Sequence, residues 1–299
     1  MNAPEQVAVV TGASSGFGNL ISQTLAREGF SVFATMREPR GRNSAAAETL
    51  RERARGAALE VLELDVSSDA SVEAAICEVI ARAGRLDVLV NNAGFGYGGL
   101  TETFTLDQAR RIFDTNVFGP LRTIRAVLPH MHRQGSGLLL QISSGAGRVV
   151  IPGMALYCAS KFALEALTEA FHYELASQGI DCLSLEPGAY PTGIAERIAP
   201  GEEPERALAY GPVREVPERV IRAVAASTAD PQEIADKVLE VIRIPAGRRA
   251  LRYRVGRGAP GVEAINELCA DVQKQFLAAF GILEETRFRA RGSFTSRPS

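Results

Sequence analysis

Short β-branched and leucine-rich runs alternate along this chain with stretches of helical periodicity, and that alternation constrains the fold more than any other feature. Strand-like runs recur at 7–11, 31–35, 59–64, 86–91, 137–143 and 181–186, and helix-patterned segments occupy 16–28, 69–83, 106–133 and 155–178. A further helical stretch at 231–242 precedes a last strand near 249–255. Strands joined through helices run parallel, because each helix carries the chain back across the sheet. The pattern therefore predicts an α/β fold, a doubly wound parallel sheet between two helical layers (α/β/α) in a single domain. A chain of 299 residues with 46% hydrophobic content can bury one substantial core. Two segments leave the rhythm. Residues 189–230, rich in Pro, Gly, Glu and Arg, read as a lid at the C-terminal edge of the sheet. Residues 256–299 read as a C-terminal extension, ordered to about residue 284, with a loose arginine-bearing tail.

The first strand feeds Thr11-Gly12-Ala13-Ser14-Ser15-Gly16-Phe17-Gly18 and then the helix-patterned Leu20, Ile21, Leu25 and Ala26. Strand, glycine turn and helix form the layout that cradles a phosphate. Gly12 takes backbone angles a side chain forbids, Gly16 lets the main chain approach a pyrophosphate, and Gly18 lets the helix pack close to the sheet. The helix N-terminus offers N–H groups to the anion. The spacing is GxxxGxG, which matches the GxGxxG fingerprint only approximately, and a purely structural glycine turn is the competing reading. A second motif, Tyr157-Cys158-Ala159-Ser160-Lys161, puts a phenol and an ammonium on one helix face. A fixed cation near a phenol favours the phenolate, lowers its pKa and suits it to proton exchange with a substrate oxygen. Lys161 is one of three lysines in a chain that otherwise uses arginine. An ordinary solvated lysine at a helix start is the alternative.

Taken together, TGASSGFG, Asn91-Asn92-Ala93-Gly94, Ser144 thirteen residues before Tyr157, YCASK and Pro187-Gly188 stand in order over residues 5 to about 245. In that order and at those separations they resemble the short-chain dehydrogenase/reductase family, in its single-domain branch. The resemblance implies a Rossmann-like fold, a catalytic domain over 1–255 with its substrate lid at about 189–230, and a nicotinamide cofactor. It implies catalytic roles for Asn116, Ser144, Tyr157 and Lys161. It also implies cofactor contacts from Gly12, Ser14, Ser15, Gly16, Phe17, Gly18, Asp65, Val66, Asn92, Ala93, Gly94, Tyr157, Lys161, Pro187, Gly188 and Thr192, with Tyr190 and Pro191 lining the same edge as Thr192. In relatives, Asn116 sits at a helix irregularity that connects the lysine to solvent through a water. Ser143 remains the alternative to Ser144. A looser likeness, in 32–37, the lid and the extension, points to the branch containing 17β-hydroxysteroid and retinol dehydrogenases.

Cofactor choice turns on the end of the second strand, where dinucleotide binders place an acid on the ribose 2′-OH or a base on a 2′-phosphate. Met36 stands where an acid would favour NAD, and Arg37 follows it with a phosphate-binding fork. NADP(H) is the expected cofactor, with NAD(H) as the other option and Arg37 as a plain loop charge the competing reading. Formal charge is −2, which offers no electrostatic case for nucleic acid or an anionic membrane. The four cysteines lie far apart with no CxxC spacing, so neither a metal site nor a disulfide framework is expected. No apolar run approaches the ~20 residues of a membrane span, and a soluble, cytoplasmic protein is the expectation. The three histidines lie on helices away from the motifs. Arg243, Arg248, Arg249, Arg252, Arg254 and Arg257 form one basic cluster, read as a solvated strand face or subunit contact, or alternatively as a site for an acidic substrate. The resemblance implies a homo-oligomer, dimer or tetramer, through 106–133 and 155–178. The activity expected is reversible hydride transfer between the cofactor and an apolar ketone or aldehyde, with Tyr157 moving the proton. A non-catalytic NADP(H)-binding sensor or scaffold and an enoyl reductase are the alternatives.

Overall fold

The strands at the middle of the sheet are largely apolar on both sides, and the reason lies in the two helical layers they meet. The structure, a computed structural model, describes residues 6–191, 198–256 and 261–290. Seven strands, β1 (Val7–Val10), β2 (Ser31–Met36), β3 (Leu59–Glu63), β4 (Val88–Asn91), β5 (Gly137–Ile142), β6 (Ile180–Pro187) and β7 (Arg252–Val255), form one sheet in the order β3-β2-β1-β4-β5-β6-β7. All six neighbouring pairs are parallel. Alternate residues of one strand face opposite layers. Ala8, Val10, Leu138 and Leu140 pack with α1 (Gly16–Arg27), α2 (Ser44–Arg53) and α8 (Gln232–Arg243). Val7, Val9 and Leu139 pack with α3 (Asp69–Ala83), α5 (Gly119–Gln134) and α6 (Ala155–Ala176). The strand order reverses between β1 and β4, which opens a crevice beyond their carboxyl ends where ligands bind in such sheets.

The stretch 106–133, read from sequence as a single helix, is three pieces. A capped α4 (Leu106–Phe113) runs into a π-helical turn at Asp114–Phe118, and α5 follows. Three helices had too thin an apolar pattern to be read. In α2 only Ala47 and Leu50 are buried, in α7 (Val216–Ala225) only Pro217, and in α9 (Val262–Ala279) only Val262 and Leu277. The arginine cluster is corrected in part: Arg243 and Arg248 are exposed, as a solvated face requires, and Arg257 lies outside the described residues, but the other three turn inward. Arg249 is buried against Asp181 and the carbonyls of Val241 and Ile242. Arg252 is buried between Glu165 and Glu169, and Arg254 pairs with Glu263. These side chains join β7 to its neighbours, because a guanidinium carried into the core needs carboxylates or carbonyls around it. No helix among the described residues is long and apolar enough to cross a membrane.

Leu139 is fully buried in the central β5. Leu139→Ala is expected to destabilise the fold by about 2–5 kcal/mol, read as a lower urea midpoint at unchanged m-value.

Candidate active site

The glycine turn after β1 is shaped from below by the turn after β4. Gly12 and Gly16 have φ of +69° and +56°, which a side chain resists. A Cβ on Gly18 would lie 2.4 Å from Asn92 Nδ2 and 2.6 Å from the Gly12 carbonyl, so helix α1 reaches the sheet only because that position has none. Asn92 Nδ2 donates to the carbonyls of Thr11 (2.9 Å) and Gly12 (3.2 Å), while Thr11 Oγ1 accepts the N–H groups of Asn92 and Ala93, both at 3.0 Å. The first turn of α1 carries no acidic side chain, which leaves its positive end to an anion. A cavity of about 410 Å³ opens here, lined by Ser14, Ser15 and Gly16 together with Thr49, Arg53 and Pro191. Of the other cradle residues, Phe17 turns inward and meets Tyr190 edge-on at 5.5 Å. Tyr190, expected at the cofactor edge, is buried and donates its hydroxyl to Glu233 Oε2 at 2.9 Å.

At the end of β2, Met36 points into the core and Arg37 is exposed. Asn43 Nδ2 donates to the Arg37 carbonyl at 2.6 Å. Glu38, next in the chain, has φ of +45°, the one such non-glycine angle among the described residues. Asp65, beyond β3, faces the same crevice. Burial would raise its pKa, but two hydrogen bonds from Ser67 and the charges of Arg37 and Arg42 outweigh it and hold the carboxyl below its ordinary value. Val66 is buried with its side chain under Gly119, and its carbonyl accepts from Arg122 Nη1 at 3.2 Å. Pro187 ends β6, and Gly188 N–H donates to the Val255 carbonyl at 2.9 Å. Thr192 lies outside the described residues.

The four expected catalytic residues converge where β5, α6 and the π-turn meet. The Ser144 backbone caps the turn at Gly145–Gly147, and its Oγ accepts from Ala146 N–H at 3.1 Å. Its hydroxyl lies near enough to the Tyr157 phenol to favour the phenolate. Ser143 points away, buried. Lys161 is 6% exposed, donates to the Ile142 carbonyl at 2.8 Å, and lies 5.8 Å from the centre of the Tyr157 ring. Asn116 sits inside the π-turn, where the carbonyl ladder is interrupted. It donates to the Phe95 carbonyl (2.9 Å) and Ser160 Oγ (3.1 Å) and accepts from Phe95 N–H (3.1 Å). Ser160 in turn donates to the Tyr157 carbonyl at 2.8 Å. Asn116 therefore ties the glycine-rich segment after β4 to α6.

One electrostatic expectation is corrected. Burial pushes the Tyr157 phenol above its ordinary value despite the Ser144 hydroxyl beside it, and the neighbouring Cys158 adds to the rise. The Lys161 ammonium is itself desolvated, which brings it down to about 8 with Glu165 opposing the fall. A cation spent on a backbone carbonyl does not offset the phenol's burial. A tyrosine so held is protonated at neutral pH and placed to give its proton away.

Above the tyrosine the surface is apolar. Ile151, Ile198 and Val220 pack with Tyr157 against Ala146, Met154 and Cys158. A Cβ on Gly98 would lie 2.6 Å from Ile198 and 2.7 Å from Ile221, and one on Gly153 would lie 2.7 Å from Pro217 Cα. These glycines let the segment before and within α7 descend onto the site. That segment is held at its rim by Gln108 Nε2 donating to the Pro200 carbonyl (2.9 Å), by Arg111–Glu202, and by Tyr210 donating to Glu102 (2.8 Å). These rim contacts were not legible, because neither partner belongs to a motif.

Lys161→Met is expected to raise stability at neutral pH. A fall from 10.5 to about 8 corresponds to about 3 kcal/mol of burial cost, of which the lost hydrogen bond returns about 1 kcal/mol. Because the folded-state value lies below the unfolded one, the cost is complete below about 8 and disappears as pH rises toward 10.5. Thermal melts should show the variant's advantage shrinking over that window; a constant gap would exclude a buried ammonium.

The short chain dehydrogenase family profile matches residues 6–203. The chain is 35% identical to 17-beta-hydroxysteroid dehydrogenase type 1 of Mus musculus over 255 residues, 83% of this chain and 72% of that one. It is 35% identical to retinol dehydrogenase 8 of Bos taurus over 261 residues, 83% and 82% of the two chains. Among solved structures, a short chain dehydrogenase/reductase from Burkholderia phymatum in complex with NAD superposes with a TM-score of 0.74 at 28% identity, covering 92% of this chain and 96% of that one. An alcohol dehydrogenase from the archaeon Thermococcus sibiricus, complexed with 5-hydroxy-NADP, gives 0.68 at 29% identity, covering 85% and 99%. The chain belongs to the short-chain dehydrogenase/reductase family of oxidoreductases.

Proposed function

We propose that the protein is an NADP(H)-dependent oxidoreductase that interconverts an apolar ketone or aldehyde and the corresponding alcohol, with Tyr157 as proton donor and acceptor. The observation that carries this reading is the Ser144 hydroxyl set beside the Tyr157 phenol, with Lys161 buried behind it, beneath a roof of Ile151, Met154, Ile198 and Val220. A carbonyl oxygen entering between the two hydroxyls receives two donors where negative charge develops. Tyr157 passes its proton to that oxygen, and Lys161 beneath it stabilises the phenolate that remains; the oxidative direction reverses both steps. The nicotinamide cofactor, when bound, supplies or takes up the hydride. The segment 198–225 acts in this reading as the substrate lid, and its apolar underside selects substrates without charge near the carbonyl.

The cradle fits such a cofactor. Ser14 to Gly18 and the start of α1 would hold the pyrophosphate, Asp65 and the Val66 backbone the adenine end, and Asn92, Ala93 and Gly94 the floor. Tyr157, Lys161, Pro187 and Gly188 would flank the nicotinamide half. The preference for NADP(H) rests on Arg37 and Arg42, whose field reaches Asp65 across the crevice, and on Met36, which offers no carboxylate to a ribose hydroxyl.

Purified protein assayed with NADPH and NADH against steroid ketones, retinal, aryl ketones and charged keto acids tests the reading. Tyr157→Phe should lower turnover by about 10²–10⁴-fold while NADPH binding persists; retained turnover sinks the proton-transfer role. Arg37→Asp should shift the coenzyme ratio toward NADH by roughly ten- to a hundredfold. An unchanged ratio removes Arg37 from coenzyme choice.

A further inference from the structure

The cavity over the glycine turn has a wall that belongs to no motif. On one side stand Ser14 and Ser15 with Asn19 of α1, and on the other Ala46, Thr49 and Arg53 of α2. The three α2 residues are spaced by three and four, so they share one face of the helix. Ala47 and Leu50, beside them, are buried and pin that helix to the core. The chain enters α2 from the end of β2 that carries Arg37, and helical side chains lean toward the N-terminus of their own helix. Arg53, in the last turn, therefore leans back along α2 toward the glycine turn, where it lines the same cavity as Ser14 and Ser15.

The charge around this cavity has one sign. Among the described residues that line it, Arg53 alone is charged, and none carries a carboxylate. The Arg53 guanidinium is exposed and makes no ion pair or hydrogen bond with any described residue. The sequence keeps it so. Its neighbours one turn away, Thr49, Leu50, Gly56 and Ala57, are uncharged, whereas Glu48 stands one turn before Arg51 and Glu52 one turn before Arg55. Arg42, by contrast, is paired with Glu38 at 3.3 Å. A guanidinium kept clear of carboxylates at the edge of a concave, acid-free site suits a phosphate, which its planar fork meets with two parallel donors. The volume, about 410 Å³, falls within the ~300–1,000 Å³ of small-molecule sites.

We propose that Arg53 is a phosphate-binding residue of the dinucleotide site, reaching a phosphate of the bound cofactor from α2. The inference rests on the nicotinamide-cofactor reading above and not on the choice of NADP(H), since both coenzymes bring a pyrophosphate and NADP(H) adds a 2′-phosphate.

Titrating the purified protein with NADPH and with NADH, followed by the fluorescence of the reduced nicotinamide, reads the contact without turnover. Arg53→Met keeps the aliphatic stem, removes the charge, and should weaken binding by roughly ten- to a hundredfold. A loss confined to NADPH puts Arg53 on the 2′-phosphate, and equal losses put it on the pyrophosphate; either supports the proposal. Arg53→Lys, which keeps the charge without the fork, should recover only part of the affinity. Arg51→Met changes net charge by the same amount on the same helix and should leave both affinities unchanged. Unchanged affinity for both coenzymes in Arg53→Met, or an equal loss in Arg51→Met, overturns the proposal. Cofactor-free melting of Arg53→Met should match the native protein, because its guanidinium has no partner to lose; weaker binding together with a lower melting temperature marks a structural role and also overturns it. A native protein that binds NADH alone ends the NADP(H) preference, and the loss of NADH affinity in Arg53→Met then decides this inference by itself.

Discussion

A lysine ammonium buried beneath a tyrosine is the interaction on which the surrounding architecture depends. Its position is set by the Ile142 carbonyl at the end of β5, so the central strand has to stop where it does. Its helix is held by Ser160, which links the Tyr157 carbonyl to Asn116 and through it to the segment after β4. Its charge is weighed against Glu165 on the same helix. Removing water makes each of these contacts electrostatically stronger and each unmet group more expensive. That is why the polar side chains around the site are bonded to backbone rather than left to solvent, and why they come from four different elements.

Much of this was legible in the sequence because it is periodic or because it is glycine. Most strands were readable from their largely apolar character, which two helical layers require, and the parallel sheet followed from the spacing. Ser144, Tyr157, Lys161 and Asn116 were readable as a set through the family resemblance. The electrostatics were not, since they depend on how deeply a group is buried, and four intervening residues say nothing of that. The sign of the Tyr157 shift was misjudged on this account. Arg252 and Glu186 were equally opaque: an arginine in a run of arginines looks solvated until the fold turns it inward. Tyr190 looked like an edge residue because it follows Pro187-Gly188, yet its ring is needed to fill the space beside Phe17.

Helices α7 and α9 show the other limit. Their apolar residues do not pack on the main core, so no periodic burial announces them. Leu268, Val272, Phe276 and Phe280 repeat every fourth position of α9 and its end and remain exposed, while the polar side of the same helix reaches Glu186 and Arg254. The extension is thus attached through charges and amides together with the buried Val262 and Leu277, whereas the sheet is held mainly by aliphatic contact.

The π-turn in the middle of the fourth connection has an effect beyond placing Asn116. Counting inward-facing positions from Ile112 through Asn116, Pro120, Thr123 and Val127 to Met131 gives five turns, and nineteen residues separate the first from the last where a regular helix uses about eighteen. The surplus residue rephases everything after it, so Ile112 and Met131 face inward together only because the turn is wide. In the language of insertions and deletions, the segment is in a reading frame. Losing one residue between 114 and 118 would leave the eighteen of five regular turns and keep the buried stripe in phase, removing only the wide turn that seats Asn116, whereas nineteen residues in a regular helix would rotate one half of the stripe by about 100°.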